Sequence, residues 1–142
     1  MKVFETMTPD VLMVGPAGTL AEAARLMKEN DIGTLPVCDA GRLVGMLTDR
    51  DITVRATAEG RDPRVTRVEE VMTPEVICCL ESDDVKQAAD VMQRAQLRRL
   101  LVIDGEGRLA GIVSLGDIVL QTGDDKLAGE TLERVSEPTA DR

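Results

Sequence analysis

Apolar residues recur at i, i+3, i+4 and i+7 in two stretches of the chain, Leu20, Ala23, Ala24 and Met27, and Val85, Ala88, Ala89 and Met92. That spacing predicts two helices, each with one buried face. Each starts at a capping pattern, Thr19-Leu20-Ala21-Glu22 or Asp84-Val85-Lys86-Gln87, in which a cap oxygen and the acid or amide three residues on satisfy free amides. Short apolar runs bounded by Pro, Gly and Asp predict strands over 11–14 and 76–80 before the helices. Hairpins follow them, over 35–38 and 43–47, and over 100–103 and 109–113. A second helix starts after Thr48 or Ser114 and is expected to turn Ile52 and Val54, or Ile118, Val119 and Leu120, toward the sheet.

This order of elements occurs twice because the sequence itself does. Met7-Thr8-Pro9-Asp10-Val11 returns as Met72-Thr73-Pro74-Glu75-Val76, and Ala23, Met27 and Asp39 align with Ala88, Met92 and Asp104 at the same offset. One residue is inserted in the turn after Asp104, and from there Gly41, Gly45 and Asp51 align with Gly107, Gly111 and Asp117. A repeat of this kind is one supersecondary unit used twice, too small to bury much alone, so the two units are expected to pack together. The expected organisation is a first unit over 1–60, a linker over 61–71 within a solvated stretch from Ala56 to Glu70, a second unit over 72–122 and an acidic tail over 123–142. In the tail, Leu127, Leu132 and Val135 are spaced for a weakly amphipathic helix ending near Pro138, and the last residues are expected to be mobile.

Composition narrows the function classes. Seventeen basic against 26 acidic residues give a net charge of -9, which repels phosphate backbones and argues against nucleic-acid binding. No apolar run approaches the length of a membrane span and no signal-peptide pattern opens the chain, so a soluble cytoplasmic protein is expected. Cys38, Cys78 and Cys79 read as buried thiols in a reducing compartment. Without a single histidine, a CxxC motif or a Walker-type loop, metal binding and nucleophilic catalysis lack their usual groups, and the chain is not expected to be an enzyme.

The Met-Thr-Pro openings, Asp31-Ile32-Gly33-Thr34-Leu35-Pro36-Val37 and the duplicated Gly-x-x-Thr/Ser-x-x-Asp resemble a tandem pair of cystathionine-beta-synthase-type (CBS) domains, a Bateman module of the small stand-alone bacterial type. The resemblance runs from about Met7 to Gln121 and implies an α/β (α+β) fold of two β-α-β-β-α units packed sheet to sheet about a pseudo-two-fold axis. It further implies a homodimer that binds an adenosine-containing ligand, AMP, ADP or ATP above all, in clefts between the units. No cofactor is required. Regulation through a separate effector protein is one implied output, and a ligand-free interaction protein of the same fold is the alternative.

By the same resemblance, Asp51 and Asp117 would accept from ribose hydroxyls while Thr48 and Ser114 reach toward phosphate. A helix start suits an anion, and the same residues are equally good helix caps. Adenine would lie near Val11, Leu12, Leu35 and Pro36 in one copy and Val76, Ile77, Leu100 and Leu101 in the other, positions that ordinary core packing also explains. Pro36 cannot donate to a ladder and so marks an edge or bulge. Cations for phosphate stand in the second copy, where Arg98 and Arg99 occupy the positions of Gly33 and Thr34, whereas the first cleft is poor for phosphate unless Arg50 turns inward or the other copy contributes. Of Arg98 and Arg99, one is expected to face the ligand. The first copy adds Asp49 beside Asp51, so the nucleotide is expected at Ser114 and Asp117, with the first site empty or holding a less charged adenosyl group.

Overall fold

Thr19 starts the first helix by accepting a hydrogen bond from the Glu22 N–H, and helix α1 runs over Leu20–Asn30. Only this half of the capping box forms there, whereas Asp84 and Gln87 make both halves at helix α3, Val85–Ala95. Both helices end on a left-handed residue, Asp31 and Gln96. In α1 the buried residues are Leu20, Ala23 and Met27, while Ala24 is exposed; in α3 its counterpart Ala89 is fully buried.

The protein is described by a computed structural model covering residues 1–138, in which the chain forms two units, one of Leu12–Val76 and the other of Met1–Val11 with the chain from Ile77 onward. The expectation for the extreme C-terminus falls on 139–142, outside the described residues.

In the Leu12–Val76 unit, strands β1 (Thr34–Asp39) and β2 (Arg42–Thr48) pair antiparallel with a bulge at Val37/Cys38, next to Pro36. The strand expected over 11–14 does not form. Only Val14 bridges to β1, exchanging hydrogen bonds with the Pro36 carbonyl and the Cys38 N–H. Helix α2 (Asp49–Asp51) continues directly into a π-helical stretch, Ile52–Thr57. The Thr53 hydroxyl donates to the Asp49 carbonyl, and such bonds compete with regular helix geometry. Val54 is 47% exposed and does not face the sheet; Ile52 and Ala56 do the packing. Nor is the expected linker solvated throughout. Thr66, Val68 and Val71 are buried around a 3-10 turn at Val68–Glu70, and Val68 and Val71 join Leu20, Leu35 and Leu47 in this unit's core.

In the other unit, β3 (Cys78–Leu80) is a short strand starting two residues later than expected, parallel to β4 (Arg99–Ile103), which pairs antiparallel with β5 (Leu109–Ser114). Helix α4 (Leu115–Thr122) buries Leu115 and Ile118 but leaves Leu120 83% exposed, against expectation. The tail forms helix α5, Asp125–Val135. It covers α3 with Ala128, Thr131 and Val135, while Leu132 points outward. Thr131 is fully buried, donating to the Leu127 carbonyl and accepting from Gln93 Nε2 at 3.0 Å. Among the thiols Cys38 and Cys79 are buried and Cys78 is only partly so.

The sequence repeat and the compact unit are different stretches of chain. Thr8 exchanges two backbone hydrogen bonds with Ile112 on β5, at 2.8 and 2.9 Å, and Thr73 does the same with Met46 on β2, both at 2.8 Å. Each Met-Thr-Pro peptide thus edges the hairpin of the other repeat. The glycines of the Gly-x-x-Thr/Ser motif make this possible. A Cβ on Gly111 would lie 2.6 Å from the Thr8 carbonyl oxygen, and one on Gly45 would lie 2.9 Å from that of Thr73.

Candidate functional site

Each hairpin delivers its last residue to a helix start. Ser114 ends β5 and caps α4: its Oγ accepts from the Asp117 N–H and its own N–H donates to Asp117 Oδ2, both at 3.0 Å. Thr48 and Asp51 make the identical pair of bonds, also at 3.0 Å. In both copies the capping role is real. It consumes one carboxylate oxygen of each aspartate, and what happens to the other oxygen separates the copies.

Asp51 Oδ1 faces the Arg55 guanidinium at 3.8 Å. Arg55 also donates to the carbonyls of Val71 and Met72, at 3.3 Å each. In the other copy Gln121 stands at the position of Arg55, and Asp117 Oδ1 has no partner among the described residues. The first-turn amides differ as well. In both copies the first is taken by the carbonyl of the residue just before a strand, Asp49 N–H by that of Gly33 and Leu115 N–H by that of Arg98, at 2.9 Å. The second amide of α2, that of Arg50, is taken by Asp49 Oδ1 at 2.8 Å. Its counterpart on Gly116 meets no acceptor among the described residues, and a Cβ there would touch only Ser114 Oγ. An exposed N–H at the positive end of a helix can receive an anion, and a half-satisfied carboxylate can accept from a diol.

The remaining predicted residues divide between the units. Val11, Ile77, Arg98, Arg99 and Leu101 belong with Ser114 and Asp117, whereas Leu12, Leu35, Pro36 and Val76 belong with Thr48 and Asp51. Val11 and Val76 have therefore changed places relative to the sequence pairing. Leu35, Pro36 and Leu101 are buried, but Leu12 is 40% and Ile77 53% exposed, so neither of the latter is an ordinary core residue. Arg98 and Arg99 are both exposed, and Arg99 stands opposite Ser114 across the hairpin. None of the predicted residues lines the open groove around Met1, Asp84, Lys86, Gln121 and Leu127.

Reading the sequence alone counted Asp49 against phosphate but missed its bond from the Arg50 N–H and the parts played by Arg55 and Gly116. The signal was present in the alignment of the copies, where Gly33, Asp49, Arg50 and Arg55 all differ in character from Arg98, Leu115, Gly116 and Gln121. Among the described residues no helix is long and apolar enough to cross a membrane, and no three or more Cys, Asp or Glu side chains are grouped to hold a metal ion.

Comparison with known proteins bears on the same segments. The chain is 42% identical over 134 residues to the CBS domain-containing protein YhcV of Bacillus subtilis (strain 168), covering 94% of each. Among solved structures it resembles Hypoxic Response Protein I with two coordinated zinc ions, at TM-score 0.74 and 39% identity over 84% of this chain and 98% of that one. It also resembles CBSX2 in complex with AMP, at TM-score 0.70 and 28% identity over 88% of this chain and 98% of that one. A further likeness is to the CBS domain pair of MJ0100 in complex with 5'-methylthioadenosine and S-adenosyl-L-methionine, at TM-score 0.68 and 28% identity, with the same coverage. The CBS domain family model matches residues 3–56 and again 68–121, and the chain accordingly belongs to the CBS domain family as a tandem pair.

Proposed function

We propose that this chain is a regulatory sensor, not an enzyme, that binds an adenine nucleotide (AMP, ADP or ATP) at the helix start formed by Ser114 and Asp117. The observation that carries the reading is the pair of open groups there, the Gly116 N–H and Asp117 Oδ1, beside the exposed Arg98 and Arg99 at the entry to β4. In this reading Asp117 accepts from the ribose, the Gly116 amide and an arginine meet phosphate, and exposed Ile77 packs on the base. The AMP-bound and S-adenosylmethionine-bound likenesses support an adenosyl ligand class.

Purified protein would be melted against graded AMP, ADP, ATP, NAD and S-adenosylmethionine. A true ligand raises the melting temperature with the logarithm of its concentration, and Asp117→Ala should remove the rise. Flat curves for every ligand would overturn the proposal.

A second reading has its own observation. Leu120 is 83% exposed and Val54, its counterpart in the repeat, is 47% exposed, apolar groups placed alike on the closing helices of both copies. A homodimer covering them fits the sensor reading; a ligand-free protein docking these residues on a separate effector fits the alternative. A concentration-independent monomer mass by light scattering would reject the homodimer.

A further inference from the structure

The two copies differ in a coordinated way at one place. At the start of α4, Arg98 lies beside Leu115, the Gly116 N–H is open, and Asp117 keeps one oxygen without a partner among the described residues. At the start of α2 the same positions hold Gly33, Asp49, Arg50 and Asp51. The Asp49 carboxylate lies where a side chain on Gly33 would begin: a Cβ there would be 2.7 Å from Asp49 Oδ2 and 3.1 Å from its Cγ. The other carboxylate oxygen accepts the Arg50 N–H. Gly33 and Asp49 are therefore one device, since the glycine leaves the room that the carboxylate fills.

We infer that Asp49, seated over Gly33, is a specificity-determining residue that closes the Thr48 and Asp51 site to phosphate, so that each chain takes a single nucleotide. The inference rests on the nucleotide reading of the Ser114 site. The carboxylate acts in three ways. It consumes the one first-turn amide that a phosphate could use, it puts a negative charge where the anion would sit, and it fills the place of the arginine that the other copy supplies from the matching position just before its strand. Arg55 reinforces the closure by facing the oxygen of Asp51 that a ribose would need.

Moving the second copy's residues into the first tests this. Calorimetric titration with AMP would be run on the native chain, on Asp117→Ala, and on Asp117→Ala carrying Gly33→Arg with Asp49→Leu, with melting curves verifying that each variant is folded. The native chain should bind one AMP per chain and Asp117→Ala none. The transplanted pair should restore one AMP per chain, and adding Asp51→Ala should abolish it again. Because an arginine at Gly33 meets a flexible side chain, Asp117→Ala carrying Asp49→Leu alone serves as a milder variant, expected to show AMP binding that Asp117→Ala by itself lacks. Two AMP per native chain, or a folded transplant without AMP binding, would overturn the inference. Binding by the transplant but not by the native chain would refute the Ser114 reading while supporting the role of Asp49.

Discussion

The carbonyl oxygen of Thr8 lies 2.6 Å from where a Cβ on Gly111 would be, closer than such atoms pack. Gly111→Ala must therefore push back the peptide that Thr8 bonds to Ile112 through two backbone hydrogen bonds. Overpacking of this kind costs roughly 1–3 kcal/mol. Gly45→Ala meets the Thr73 carbonyl in the same way and should cost a similar amount. Denaturant titration of each variant checks both, and an unchanged midpoint would show that the contact relaxes freely.

Asp117→Ala and Asp51→Ala each remove the bond that the carboxylate accepts from the Ser114 or Thr48 N–H and should each destabilise the fold by about 1 kcal/mol. They should part company in ligand binding. Loss of Asp117 should weaken nucleotide affinity at least tenfold, about 1.4 kcal/mol, while loss of Asp51 should leave it nearly unchanged. Equal losses in titration calorimetry would contradict the asymmetry of the two copies.

Thr131 joins the tail helix to α3 through a fully buried hydroxyl that donates to the Leu127 carbonyl and accepts from Gln93 Nε2. Thr131→Val keeps the shape but strands the Gln93 amide, at a cost of roughly 1–3 kcal/mol. Thr131→Val combined with Gln93→Leu should recover part of that loss. A double-mutant cycle of unfolding free energies gives the coupling, and a value near zero would mean that the Gln93–Thr131 bond does not hold α5, leaving its apolar contacts and the bonds from Gln96 Nε2 to the Arg134 and Glu137 carbonyls.

Burial, with smaller contributions from Asp83 and Cys78, pushes the Cys79 thiol up to about 12 from its ordinary 9.0. The folded state thus keeps a proton that the unfolded chain gives up first. The stability tied to this group is fully present below the unfolded value and is lost as pH rises from about 9 toward about 12. Unfolding free energy measured from neutral to mildly alkaline pH should fall, and Cys79→Ala should flatten the decline. Thiol-specific labelling at neutral pH should likewise be slow at Cys79 until the protein is denatured.

Much of the fold was legible because local physics repeats. Met27 and Met92 fall on the same helical face, and the Asp84–Gln87 box forms as its spacing predicts. The motif Gly-x-x-Thr/Ser-x-x-Asp was legible as well, yet the reason for its glycine was not, since that depends on a peptide from the other repeat approaching through space. For the same reason the sequence could not assign Val11 and Val76 to units. The irregular turn of Ile52–Thr57 is a choice between two backbone hydrogen-bond patterns that propensity does not decide. At the candidate site, residue types pointed to two helix starts, which the structure shows as capped turns. Which amides and carboxylate oxygens were already spent could be read only from the geometry.

The crossed pairing of Thr8 with Ile112 and Thr73 with Met46 bears on the order of assembly. The unit of Leu12–Val76 is continuous and holds all its segments once Val76 has been synthesised. The other unit needs Met1–Val11 and the chain from Ile77 onward, so Met1–Val11 must wait for β5 to be made before Thr8 can pair with Ile112. Long-range closure of that kind is slow, because loop entropy must be spent before any contact repays it. The unit carrying Ser114 and Asp117 accordingly has the longer closure to make, and a nascent chain would complete its proposed nucleotide site only after β5 and α4 had been made.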